Sequence, residues 1–175
     1  MPVAKGTPRA LAGLKPTGKR ILPASAAPFL CFTSPGDGEP WYPGKMNNAL
    51  AFTREVPGNP DDLVSKVEGA FSAIGFGSLS RIDLDQKFSD KLGKKIPRTI
   101  ILGVCNPAIA YEAYRQTTDV ALLIPCNIVL RETGPNRTMI EVMRPSQMLA
   151  ILPEIKPDPR LEQAEKMLRE ALAAL

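Results

Sequence analysis

The stretch RTIILGVCNPAIAYEAY, Arg98 to Tyr114, decides the fold class. Its first part, Arg98 to Cys105, is apolar on both parities of an extended chain. Ile100, Leu102 and Val104 point one way, and Ile101, Gly103 and Cys105 point the other. A strand of this kind is covered on both faces. Asn106 and Pro107 then open AIAYEAYRQT, where helical spacing makes Ala110, Ala113 and Tyr114 the inner face. An asparagine before a proline suits a helix start, because its side-chain oxygen accepts from an early helical amide and proline tolerates the first helical position.

The same device recurs at Asn59-Pro60 and Asp158-Pro159. After the first, Asp61 and Asp62 fall where the helix dipole favours acids, and Leu63, Val64, Val67, Ala70, Phe71 and Ile74 form one apolar stripe ending at Gly75. After the second, Leu161, Ala164, Leu168, Ala171 and Leu175 form another. Strands are expected over Asn48 to Val56, Phe76 to Leu84, Val120 to Arg131 and Arg137 to Met143, the last two as a hairpin around ETGPN. A short helix is expected over Asp85 to Leu92, closed by Gly93. Strands and helices in this order give an α+β fold, a two-layer sandwich with helices packed on one face of a mainly antiparallel sheet. The other face then needs a cover, and a subunit interface, hence a homodimer, is the expected one.

Residues 1–46 read differently. They hold eight of the 18 prolines and six of the 13 glycines, a composition that supports neither a long helix nor a core of its own. They also carry Lys5, Arg9, Lys15, Lys19, Arg20 and Lys45 against Asp37 and Glu39 alone, so the whole +4 net charge lies there and the rest of the chain is balanced. A neutral body with dispersed charges on an arm lacks the basic face of a nucleic-acid-binding domain. The acid-free start has one trait of a transit peptide, but Pro2, Pro8, Pro16 and Pro23 interrupt an amphipathic helix. Phe29, Phe32, Trp41 and Tyr42 could anchor the arm to a partner or cover the domain's own core. The organisation expected is an extended Pro-rich N-terminal arm over 1–46, an α+β domain over 47–150, and a linker with a C-terminal helix over 151–175. No apolar run approaches the ~20 residues of a membrane span.

The composition narrows the chemistry. Histidine is absent from the 175 residues, which removes the commonest general base near neutral pH and the commonest metal ligand. Cys31, Cys105 and Cys126 are an odd number at wide spacing, so neither a zinc tetrahedron nor a disulfide framework is expected. A reducing compartment, cytoplasm or organelle matrix, follows from that usage, with peripheral attachment to a membrane complex left open. The loop GFGSLS, 75–80, follows a helix and precedes a strand, the reverse of what a phosphate loop requires. No nucleophile and base pair stands out, and no catalytic residue is assigned.

Two Cys-Asn pairs remain as candidate ligand-binding residues: Cys105-Asn106, and Cys126-Asn127 within LLIPCNIVL, Leu122 to Leu130. Asn106 is accounted for as a helix cap and Cys105 as a small core residue. Asn127 begins no helix, and inside an apolar strand a buried amide needs a hydrogen-bond partner. Pro125 cannot donate to a sheet ladder and is expected to mark an edge or a bulge. If the strands that carry them pair, Cys105 and Cys126 lie close, which permits a disulfide, a soft-metal or haem contact, or plain packing.

These residues resemble a known family. The segments AFSAIGFGSLSRIDL, KFSDKLG, RTIILGVCNPAIAYEAY, VALLIPCNIVLRE and MRPSQML, with their G-x-C-N-P and L-x-P-C-N patterns, are similar in order to the domain of unknown function family numbered 302. The resemblance implies a two-layer α+β domain of the TATA-binding-protein-like group, commonly dimeric, with no established activity. The family's recurring residues fall on Gly103, Cys105, Asn106, Pro107, Pro125, Cys126 and Asn127. The arm and the Asp158 to Leu175 helix depart from the compact family pattern. Two functions are consistent with this reading: a non-catalytic accessory or interaction subunit, held in a larger protein assembly by residues 1–46, and a homodimeric small-ligand or redox-cofactor module built on the two Cys-Asn pairs, its cofactor unspecified.

Overall fold

The computed structural model describes residues 49–152 and 159–175; the arm over 1–46 lies outside them. Five strands form one antiparallel sheet in the order β1-β5-β4-β3-β2: β1 Ala51–Pro57, β2 Gly77–Asp83, β3 Thr99–Cys105, β4 Cys126–Gly134 and β5 Arg137–Met143. Five α-helices accompany them among the described residues: α1 Pro60–Ser72, α2 Leu84–Leu92, α3 Pro107–Gln116, α4 Pro145–Leu149 and α5 Pro159–Ala174. This is the expected α+β architecture.

The side-chain alternation of the strands sorts the sheet into two faces. One carries Val56, Ile100, Leu102, Ile128, Leu130, Ile140 and Val142, all buried. The apolar stripe of α1 (Val64, Val67, Phe71) and that of α5 (Ala164, Leu168, Ala171, Leu172) close on this face as a single core. Each Val, Leu, Ile or Phe side chain among them that is removed from water contributes about 1.5–3 kcal/mol, which offsets the entropy of fixing the helices. The α5 helix is part of that core. A second, smaller cluster gathers Ala113 of α3, Val120 and Leu149 of α4 at one end of the sheet.

Charged side chains fasten the helices at their ends. Arg98 donates to Asp61 on α1 at 2.7 Å, to Asp85 on α2 at 2.8 Å and to Asp83 at the end of β2. Arg81 joins the same group through Asp61 and Asp83, both at 2.9 Å. At the other end of the helical layer, Arg54 donates to the carbonyls of Leu172 and Ala173, and Lys66 to that of Leu175, satisfying the last acceptors of α5.

Several local readings are corrected. Val120 lies in a 3₁₀ turn, Thr118–Leu122, and the strand begins only at Cys126. A run of apolar residues reads as extended, but here its members pack beneath α3 and α4 instead. Pro125 marks no bulge and no edge. It precedes the first residue of β4, an interior strand, through a cis peptide bond to Ile124, while the bulges fall at Ser78/Ser80 and Glu132/Gly134. Asn59 precedes α1 without a side-chain capping bond, because its amide turns to donate to Asp62 at 3.3 Å. Tyr114, placed on the inner face of α3, is exposed, and Ala113 is the residue buried there.

Candidate functional site

The recurring residues assemble at one end of β3 and β4. Asn106 caps α3, its Oδ1 accepting from the amides of Ala108 at 3.1 Å and Ile109 at 3.3 Å. Its Nδ2 lies against Gly75, 3.0 Å from where a β-carbon would stand, and Gly75 has φ +83°. Glycine is thus required there twice, for the left-handed backbone and for the approach of the asparagine. Pro107 occupies the first turn of α3.

Gly103 has its own explanation. A β-carbon added to it would stand 2.6 Å from Cγ of Pro125 and closer still to Oγ of Ser80. The proline ring therefore covers the helix-free face of β3 where a side chain would be. Both patterns of the sequence, G-x-C-N-P and L-x-P-C-N, meet through this contact.

The two thiols are brought together. Cys126 is opposite Val104 in the ladder, Cys105 is the next residue of β3, and both line one cavity of about 40 Å³. Its walls include Phe76, Ile109, Val120, Ile124 and Met148. Cavities that hold drug-sized ligands are roughly 300–1,000 Å³, so this space admits one small group. Both cysteines are free. Burial, and then the neighbouring Cys105, push the Cys126 thiol up to about 11; burial alone raises that of Cys105. Both groups are therefore neutral thiols at pH 7 and weak nucleophiles.

Asn127 does not join them. Expected as a buried amide in need of a partner, it is exposed, opposite Gly103. Strand alternation puts it on the helix-free face while its neighbour Cys126 packs against the core. Asn106 touches the cavity, but its oxygen is committed to the cap. Among the described residues no cluster of three or more His, Cys, Asp or Glu side chains is placed to hold a metal ion. Met148 was missed, since nothing in the sequence relates α4 to the ends of β3 and β4.

The helix-free face itself is a second candidate. Ladder partners align Ile82, Ile101 and Val129 across β2, β3 and β4, and Met139 and Met143 continue the apolar surface on β5. Ile82 is 42% exposed; Ile101, Val129, Met139 and Met143 are half-buried. Two ion pairs lie on this surface, Arg131 with Glu141 at 2.6 Å and, toward its β1 edge, Arg137 with Glu55. No described helix is long and apolar enough to cross a membrane.

Comparison with solved structures finds similarity to the crystal structure of an uncharacterized conserved protein DUF302 from Bacillus stearothermophilus. It is 24% identical, covers 71% of this chain and 94% of that one, and has a TM-score of 0.58. At that identity the likeness speaks for the fold. No curated protein matches. The family model described as Domain of unknown function DUF302 matches residues 52–175, which takes in α5 and so corrects the reading that set the terminal helix apart. From the glycine, cysteine, asparagine and proline contacts outward to that match, the chain belongs to the DUF302 family.

Proposed function

We propose that the chain is a non-catalytic accessory or interaction subunit. Its folded domain is the platform, and residues 1–46 attach it to a larger protein assembly. The helix-free sheet face carries this reading: an apolar row of Ile82, Ile101 and Val129, extended by two methionines and flanked by the ion pairs Arg131–Glu141 and Arg137–Glu55. An apolar centre that includes methionine, with charged pairs at its rim, is the composition of protein contact surfaces. A second copy of the chain is the first occupant of that face, giving a homodimer with the arms free to engage a partner. Free, protonated thiols support a reducing compartment, cytoplasm or organelle matrix.

The test is size-exclusion chromatography with light scattering on native extracts, for the full chain and for a chain lacking residues 1–46. The full chain is expected in a complex larger than the purified dimer, and the shortened chain only as the dimer. Identical elution of both at the size of the purified protein would sink the proposal.

A further inference from the structure

Cys105, Cys126 and Met148 come from three elements, β3, β4 and α4, yet line the same small cavity. Among the described residues they are its only sulfur donors. The other lining groups are apolar except Asn106, whose oxygen is held by the α3 amides. Hard divalent cations need oxygen ligands. Zinc needs four donors from thiolate, imidazole or carboxylate, and this chain has no histidine. Thiolate and thioether together select soft ions, copper(I) first among those available to a protein.

Charge leads to the same ion. An apolar cavity penalises any net charge. One thiolate and one monovalent cation sum to zero, with the second thiol and the thioether as neutral donors, whereas a divalent ion reaches neutrality only when both thiols ionise. The volume, about 40 Å³, admits a single ion.

We propose that Cys105, Cys126 and Met148 form a binding site for one soft monovalent cation of the copper(I) class. On binding, one S–H bond breaks, a sulfur–metal bond forms and the proton leaves to solvent; no oxidation state changes. The site does not rest on the function proposed for the sheet face.

The experiment uses the reduced full chain carrying Cys31→Ser, which removes the thiol outside the described residues. The protein is titrated anaerobically with copper(I) against a chromophoric copper(I) chelator. One equivalent is expected to be retained. Cys126→Ser should weaken retention by at least about 100-fold, the upper end of what loss of a mere outer-shell partner costs, and the volume-conserving Met148→Leu by about tenfold. Circular dichroism confirms that each variant is folded; should Cys126→Ser fail to fold, Cys105→Ser replaces it with the same expectation. The proposal is overturned if no copper(I) is retained, if retention is unchanged in the cysteine variant or in Met148→Leu, or if zinc(II) binds equally well at the same stoichiometry.

Discussion

Gly103 and Asn106 show how single positions carry this fold. Alanine at 103 would drive a methyl group into the Pro125 ring, which unlike the Ser80 hydroxyl cannot rotate away. Gly103→Ala should therefore lose about 1–3 kcal/mol in urea unfolding, the range for overpacking a close contact. Asn106→Ala removes a cap with two acceptor bonds and should cost about 1 kcal/mol. Asn59→Ala, at a position identical in sequence logic but without a capping bond, should stay within about 0.5 kcal/mol of the native chain. Equal losses at 59 and 106 in the same unfolding assay would contradict this account. The two Asn-Pro pairs were indistinguishable as sequence, because the rotamer that decides between capping and pairing with Asp62 is set by local geometry.

At the scale of elements, the junction of α1, α2 and β3 is acid-sensitive. Hydrogen bonding from Arg98, and then from Arg81, outweighs burial and holds the Asp61 carboxyl down to about 2, against 3.8 ordinarily. Asp83 is lowered too, chiefly by Arg81 and also by Arg98. A group whose folded value is depressed contributes stability that is complete above its unfolded value and is lost as pH falls through the folded one. Stability should therefore decline between about pH 4 and pH 2. Arg98→Leu, in which those carboxyls return toward ordinary values, should show a shallower decline in chemical denaturation across that range. A slope matching the native protein would remove Arg98 from the explanation. Asp61 and Asp83 are well exposed, so the effect is modest and weakens with salt.

Elements were also where the sequence was most informative. The stripes of α1 and α5, the αL glycine after α2 and the two-sided β3 follow from periodicity and turn chemistry that local residues determine. Val120 to Ile124 misled because an apolar run carries no record of whether a neighbour will be a strand or a helix. For the site, the meeting of Cys105 and Cys126 was legible from adjacent strands. The outward turn of Asn127 depended on register, and the approach of Met148 on tertiary packing.

For the molecule as a whole, the two sheet faces divide the labour: one is filled by α1 and α5, and the other presents Ile82, Ile101, Val129, Met139 and Met143. Val129→Arg places a charge at the centre of the second face without entering the core. It should leave the unfolding free energy within about 0.5 kcal/mol and shift the purified chain from the proposed dimer to a monomer in light scattering. A dimer that survives this substitution would place the contact elsewhere.

The strand order has a consequence for how the chain reaches this state. β2, β3, β4 and β5 each pair with a sequence neighbour, but among the described residues β1 pairs only with β5, Ala51 opposite Met143. On the ribosome β1 must wait for nearly the whole domain before this hydrogen-bonding partner exists. The closing of β1 onto β5 is the most non-local step of the fold and the one that loop-closure entropy slows most. Until it happens, Phe52 and Val56 lack that partner strand, which makes nascent β1 the segment that a chaperone would have to shield.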